Sequence, residues 1–339
     1  MVFRNELALK TGFTPDSLPG RENEINEIAS SLKPAFGGRK AKNLFLHGPP
    51  GTGKTSCTKF VFEKLAEESQ KAKTVFINCW QNPTRPSVLA KIAEAIEEPI
   101  PRRGLGADEM LHRVAQGFER RENVAVIALD ECDRLLHNNE DAILYELLRS
   151  EFVSSLVCVT NDSAFLQKIE ERTRSSLQPA SLEFARYSPL QLKKILAERA
   201  EMAFRPNACP EEVIAVVAAY ASKLGGDARV AIESLWQCGK NAEARNADKI
   251  ERKDFEKLKE NPSVEKRLAG LSGTEEKIIG ILRGRKNKTA TSGELYAELG
   301  ANERTALNYL HLLENKKIIE VEKVVSKKGA TSRIRLLIC

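Results

Sequence analysis

The sequence predicts three folded parts in order: an α/β domain on a parallel sheet, an all-helical domain, and a small domain of three helices and a β-hairpin. Three observations carry that prediction. Short apolar runs alternate with amphipathic stretches over the first 185 residues, as a sheet wrapped by helices requires. The pattern then turns helical throughout to residue 263. The remainder reads as helix, helix, helix and two β-prone runs. A chain of 339 residues also exceeds what one hydrophobic core usually organises. The expected boundaries are therefore 1–185, 186–263 and 264–339.

The candidate strands of the first part are Asn43–Leu46, Thr74–Asn78, Val124–Leu129 and Leu156–Thr160. Each is a nearly continuous apolar run, as strands covered on both faces should be. In the second part, Ser188-Pro189 places an N-cap before a proline at the first helical position, and Cys209-Pro210 repeats the arrangement. Gly225-Gly226 ends one helix and Asp227 can cap the next. Asn261-Pro262-Ser263 reads as a linker. In the third part, Ser272/Glu275 and Thr291/Glu294 are capping boxes for two helices. A turn at Gly300-Ala301-Asn302 precedes a third helix from Glu303 to Asn315. The runs Ile318–Val325 and Thr331–Ile338 come next and complete the order of a winged helix.

Composition excludes several classes of function. With 42% hydrophobic and 29% charged residues the chain is neither collagenous nor disordered, and no run approaches the ~18 apolar residues of a membrane span. The first ten residues lack the apolar core of a signal peptide, so a cytoplasmic location and no membrane partner are expected. Seven cysteines are scattered without a CxxC pair, which suggests buried free thiols in place of a disulfide framework or zinc site. The net charge of +6 is localised: residues 264–339 hold 15 basic and 9 acidic residues, and the rest is balanced. Such asymmetry points to a phosphate-rich partner.

The strongest local signal is Gly48-Pro49-Pro50-Gly51-Thr52-Gly53-Lys54-Thr55, between a strand and a helix. Glycines let backbone N–H groups turn inward around phosphates, and the helix N-terminus adds partial positive charge. Lys54 reaches β- and γ-phosphates in such a loop, and the Thr55 hydroxyl ligates Mg²⁺. Asp130 and Glu131 end the third candidate strand. The first suits the metal shell, and the second suits polarisation of a water for in-line attack. Asn161 ends the fourth strand, where its amide can bond that water or a γ-phosphate oxygen. Cys132 reads as a small core residue.

On the third helix of the tail, Ala306, Leu307 and Leu313 share the side of Leu310, while Arg304, Thr305 and Asn308 fall roughly opposite. That polar face suits a DNA major groove. Lys327 and Lys328 in the hairpin turn, with Arg333 on the return strand, suit phosphates or a minor groove. Tyr309, Trp236 and Trp80 read as packing groups.

The ordered set of the glycine-rich loop, Leu129–Asp133, Val159–Asp162, Glu171–Leu177 and Gly225–Glu233 resembles the AAA+ ATPases. Within them it is similar to the archaeal origin-recognition and replication-initiator family (cell division control protein homologues), over nearly the whole chain. Leu18-Pro19-Gly20-Arg21-Glu22-Asn23-Glu24 matches that family's N-terminal box, which implies that Pro19, Gly20 and Arg21 lie near the adenine. The resemblance also implies that Asn161 is sensor 1 and Arg229 the sensor 2 arginine reaching the γ-phosphate from a helical lid. Arg172, or Arg174 beside it, becomes the finger offered to a neighbouring subunit's ATP. Thr173 and Val230 depart from the family pattern, which has valine and a basic residue there. A helix inserted after the second strand packs on DNA in this family; Gln81–Gly104 holds that position, with Arg85, Arg102 and Arg103. Its apolar spacing at Val88, Leu89, Ile92, Ala95 and Ile96 fits a helix buried on the sheet equally well.

Membership of that family would imply an ATP-regulated initiator that uses ATP, ADP and Mg²⁺, hydrolyses ATP slowly as a switch, and binds origin duplex DNA. Its implied partners are the replicative minichromosome maintenance helicase and other initiator subunits on DNA. Two alternatives share parts of this pattern. A clamp-loader-like or other remodelling ATPase would lack a basic winged helix, and a DNA-binding regulator with a structural nucleotide site would not need Glu131 or a trans arginine.

Overall fold

The computed structural model describes residues 1–10, 12–13, 15–101, 105–259, 278–282, 284–285, 289–299, 306–307, 309–310, 313–314, 318–326 and 329–336. The chain divides into two compact units, Met1–Phe255 and Glu256–Cys339.

In the first unit, strands β1 (Leu44–His47), β2 (Ala72–Asn78), β3 (Val124–Asp130), β4 (Val153–Thr160) and β5 (Ala180–Glu183) form a parallel sheet in the order β2-β3-β4-β1-β5. Alternate residues serve opposite faces. Leu44, Leu46, Val126, Ala128, Val157 and Val159 pack with α1 (Glu22–Leu32) and α2 (Lys54–Glu68). Phe45, Ile127, Leu129, Leu156 and Cys158 face the other way, toward α3 (Arg85–Ala95), α4 (Ala107–Arg120), α5 (Asp133–His137) and α6 (Ala142–Arg149). Two short helices, α7 (Phe165–Lys168) and α8 (Glu171–Leu177), lead into β5.

Register fixes the functional end of the sheet. His47 lies beside Thr160, and Asp130 beside Val159. The chain therefore leaves β1 at Gly48, β3 at Glu131 and β4 at Asn161 side by side, at the carboxyl edge where open α/β sheets bind ligands.

Helices α9 (Pro189–Ala203), α10 (Glu211–Lys223) and α11 (Ala228–Ala244) belong to the same unit, and α12 (Arg252–Lys259) begins in it. Ser188 caps α9 in a capping box with Gln191, with Pro189 at the first position as the sequence suggests. Pro210 itself occupies the N-cap of α10, and Asp227 caps α11. The first residues of the chain pack on this helical layer: Arg4 and Asn5 donate backbone N–H bonds to the Ala203 carbonyl at 2.8 and 3.0 Å.

In the second unit, strands β6 (Thr289–Thr291), β7 (Ile319–Ser326) and β8 (Gly329–Leu336) form an antiparallel sheet in the order β6-β8-β7. Helix α13 (Ser292–Leu299) comes directly after β6, and the expected box closes its start: the Thr291 N–H donates to Glu294 at 2.9 Å and the Glu294 N–H to Thr291 Oγ1 at 3.4 Å. The box at Ser272/Glu275 lies outside the described residues. Ala306, Leu310 and Leu313 are buried, but Leu307 is 40% exposed. At 100° per residue the buried three centre between Leu310 and Leu313, which leaves Leu307 at the edge of the stripe and corrects its expected placement.

Among the described residues no helix is long and apolar enough to cross a membrane. Cys57, Cys79, Cys132, Cys158 and Cys238 are buried free thiols, and burial pushes the Cys57 thiol up to about 12. Trp80 is not the packing group expected. It is 56% exposed, with the Arg134 guanidinium 3.5 Å from its ring centroid.

Candidate nucleotide site

The loop after β1 is built from conformations that only glycine accepts readily: φ is 142° at Gly48, 71° at Gly51 and 93° at Gly53. Space is restrictive as well. A Cβ on Gly48 would stand 2.4 Å from the Phe184 carbonyl oxygen, and one on Gly53 2.5 Å from the Tyr187 hydroxyl. Arg21 fastens the loop from behind. It is 3% exposed, donates from Nε to the Thr52 carbonyl at 2.8 Å, and also bonds Glu24 and the Ala185 carbonyl. Its guanidinium stacks 4.2 Å from the Tyr187 ring centroid.

Lys54 stands at the start of α2 with three acceptors for its three protons. These are the Gly48 carbonyl at 2.7 Å, the Pro49 carbonyl at 2.8 Å and Asn161 Oδ1 at 2.8 Å. Burial lowers its ammonium to about 8, opposed chiefly by nearby Asp130. Thr55 Oγ1 donates to both carboxylate oxygens of Asp130, at 3.2 and 3.1 Å. Burial raises the Asp130 carboxyl, with the Thr55 bond and Lys54 pulling the other way. A hydroxyl and a buried carboxylate in contact are a donor set that suits Mg²⁺, a hard cation preferring oxygen.

Glu131 turns the chain out of β3 with φ 56°, a left-handed conformation uncommon outside glycine. Burial raises its carboxyl, helped by Asp130 and Asp133 and opposed by a hydrogen bond from the Asn78 side chain. Asn78 ends β2, and its Oδ1 accepts from the Trp80 and Gln81 N–H groups, which orients the amide. Asn78 escaped sequence reasoning; its position at a strand end beside Asp130 was the available signal.

The helical layer meets the loop directly. The Ala228 N–H donates to the Gly51 carbonyl at 3.1 Å, and a Cβ on Gly51 would fall 1.7 Å from Asp227 Oδ1. Asp227 accepts from the Arg229 backbone N–H at 2.8 Å, from its Nε at 3.2 Å and from its guanidinium at 2.9 Å. The Asp227 hydrogen bond and charge hold Arg229 cationic, and Glu131 adds to the effect. The sequence presented Asp227 only as a helix cap; it also aims the arginine.

These parts surround one cavity of about 330 Å³. Pro50 to Thr55, Asp130, Glu131, Asn161 and Arg229 supply much of its polar lining. Its apolar lining comes from Leu9, Phe13, Leu18 and Pro19 of the N-terminal arm, and from Tyr187, Ile195 and Ile232. Gly48 and Pro49 act through their carbonyls on Lys54 and do not line it, and neither do Gly20 and Arg21. Of the N-terminal box, Pro19 reaches the cavity. The aliphatic wall from α9 and α11 was not read from sequence, because ordinary amphipathic periodicity hides it.

The remaining expected residues lie elsewhere. Arg172, on α8, does not line this cavity; it is exposed, pairs with Glu170 at 2.5 Å and lies over the Tyr145 ring. Thr173 between Arg172 and Arg174 is buried, so both arginines flank an inward residue. Arg85 is ion-paired to Glu146 at 2.7 Å and to Asp108 at 2.5 Å, which ties α3 to its neighbours. Val88, Leu89, Ile92 and Ile96 of this segment are buried in the core, whereas Ala95, expected with them, is exposed. Arg333 is exposed on β8. Arg102, Arg103, Arg304, Thr305, Asn308, Lys327 and Lys328 lie outside the described residues.

Comparison with known proteins agrees with this geometry. Residues 38–162 match an AAA domain model, and residues 193–260 match the Cdc6 AAA+ ATPase-type lid domain. An ORC1-type DNA replication protein of Pyrococcus abyssi is 33% identical, with 99% of this chain and 87% of that protein aligned. ORC1-type DNA replication protein 1 of Methanosarcina mazei is 32% identical across 87% of this chain and 75% of its own length. Among solved structures, the Aeropyrum pernix ORC1 protein in complex with DNA superposes with a TM-score of 0.81 at 29% identity, covering 99% of this chain and 94% of the other. A nucleotide cleft on an AAA sheet, closed by a Cdc6-type lid, thus sits in a chain that belongs to the ORC1-type DNA replication proteins, the archaeal-type Orc1/Cdc6 group of AAA+ ATPases.

Proposed function

We propose that the chain is a nucleotide-controlled replication initiator that grips origin duplex DNA and marks it for the replicative minichromosome maintenance helicase. The observation that carries this reading is the meeting of Lys54, Asp130, Glu131, Asn161 and Arg229 around one cavity, with the Arg229 helix bonded to the phosphate loop. ATP or ADP fits with its phosphates toward Lys54 and its base against the apolar lining. Thr55 and Asp130 would hold Mg²⁺, which supplies charge neutralisation to the phosphates when bound. Glu131, held by Asn78, accepts the proton of the attacking water, and Asn161 orients that water or a γ-phosphate oxygen. Arg229 exchanges Asp227 for the γ-phosphate, so the lid responds to hydrolysis. Arg172, with Arg174 as the alternative, completes the site of a neighbouring subunit and makes turnover depend on assembly.

The DNA-binding elements of this reading are a C-terminal winged helix and the segment after β2. The excess positive charge of residues 264–339 supports the first. The order helix–strand–helix–helix–hairpin in the second unit is compatible with it. Support for DNA contact also comes from the DNA complex of the Aeropyrum pernix relative. Arg304, Thr305 and Asn308 would face the major groove, and Lys327, Lys328 and Arg333 the phosphates. In the inserted segment, Arg102 and Arg103 are the better contacts, since carboxylates already neutralise Arg85. Footprinting of the full chain on its own genomic origin region, with ATP and with ADP, tests the proposal. Discrete protected repeats whose extent differs between the two nucleotides are expected; uniform or absent protection refutes it.

The lowered Lys54 ammonium adds a pH signature. Phosphate binds the protonated lysine, and terminal phosphates are fully ionised above about pH 7. ATP affinity should therefore be flat from pH 7 to about 8, then fall by up to about tenfold per unit as Lys54 loses its proton in the free protein. Titration calorimetry across that range reads the effect directly. A profile flat to about pH 9.5 would mean that Lys54 keeps its proton over this range or does not meet the phosphates.

A further inference from the structure

The N-terminal arm is bound to the helical layer more extensively than its sequence suggests. Phe3 bridges to Phe204, with stacked rings 5.0 Å apart, and the Arg205 N–H donates to the Val2 carbonyl at 2.9 Å. The Trp236 indole N–H donates to Glu6 at 2.7 Å. Gly239, in the middle of α11, makes room for the arm, because a Cβ there would stand 2.4 Å from the Phe3 ring. Val2, Ala8 and Leu9 are buried. Beyond this anchorage Leu9, Phe13, Pro15, Leu18 and Pro19 of the arm line the cavity.

One side chain holds that passage. Arg199 on α9 is 8% exposed, and two of its guanidinium nitrogens donate to arm carbonyls, Ala8 at 2.9 Å and Phe13 at 3.0 Å. Its guanidinium also lies 4.8 Å from the Phe13 ring centroid. Burial disfavours its charge, and the two carbonyls and the ring offset that cost. Arg199, Phe13, Leu9, Leu18, Ile195 and Ile232 line the cavity, with Lys10, Glu198 and Glu233 also in its wall. Apolar side chains beside a fixed stretch of backbone suit a flat heteroaromatic ring better than a phosphate.

We propose that Arg199 is the positioning residue for the nucleotide base: by clamping Ala8 and Phe13 it sets the arm as the wall against which the purine of ATP or ADP packs. The inference rests on the nucleotide reading of the cavity. Because the arm is fastened to α9 and α11, the base is held by the lid, whereas the phosphates are held by the loop of the sheet domain, with Arg229 of the lid reaching only the γ-phosphate. Recognition of the base and recognition of the γ-phosphate are thereby assigned to separate contacts. Arg199 serves ATP and ADP alike, while Arg229 separates them.

The test compares ATP, ADP and inorganic tripolyphosphate by titration calorimetry on the full chain. Arg199→Lys keeps the charge but cannot span both carbonyls and the ring. It should lower the ratio of ATP affinity to tripolyphosphate affinity at least tenfold, with ADP affinity falling by the same factor as ATP. Phe13→Leu, at a half-buried position that a folded chain tolerates, should lower the ratio at least threefold. An unaltered ratio in both variants, or parallel losses for ATP and tripolyphosphate, overturns the proposal. Lys54→Ala in the same series separates the two readings: if the parent chain binds ATP and this variant does not, the nucleotide site stands whatever Arg199 does.

Discussion

A chain carrying Lys54→Ala should retain no nucleotide: its melting temperature should no longer rise with ATP, and its Kd should increase by about 10²–10⁴-fold. Hydrogen bonds to charged groups contribute about 1.5–3 kcal/mol each, and a phosphate-loop lysine makes about two. Every proton of the Lys54 ammonium already points at a loop carbonyl or at Asn161. The lysine is thus held beside the loop, and β- and γ-oxygens must displace some of these neutral acceptors, which moves the expected loss toward the lower end of that range. For the parent chain, ATP at a hundred times Kd should add about 2.7 kcal/mol of stability. A variant with normal ATP-dependent stabilisation would remove Gly48–Thr55 from consideration as the phosphate loop.

Glu131→Gln should separate binding from turnover. The amide preserves shape and can still accept the Asn78 hydrogen bond, so ATP affinity should stay within about threefold. It cannot take a proton from water, and general-base catalysis of this kind contributes about 10²–10⁴-fold. Single-turnover hydrolysis should fall by at least about a hundredfold. Glu131 also carries a raised carboxyl, from burial and from Asp130 and Asp133. A base must be ionised, so residual parent activity should decline as pH falls through that raised value. Undiminished hydrolysis in the variant would assign the water to another group.

Much of the fold is legible in the amino-acid order because the phosphate loop is contiguous and its flanking strands are buried on both faces. Where the strands read short, local polarity is the reason. Ser154 and Ser155 begin β4 yet are buried, their hydroxyls donating to the Arg39 and Lys42 carbonyls at 2.6 and 2.7 Å. Satisfied hydroxyls in a strand look like a turn in a hydropathy pattern. The edge strand β5, Ala-Ser-Leu-Glu, is four residues long with two exposed, and it leaves almost no apolar trace. The apolar lining of the cavity is illegible for another reason. Phe13, Ile195, Arg199 and Ile232 come from separate segments, and only the tertiary fold brings them together.

Gly51 has a mechanical consequence. The lid helix rests its first N–H on this residue and its capping carboxylate where a methyl would be. Under the proposed function, any shift of the loop would be felt first at the start of a seventeen-residue helix, at Asp227 and Ala228. A small rotation there would appear as a larger travel at the far end, near Ala244.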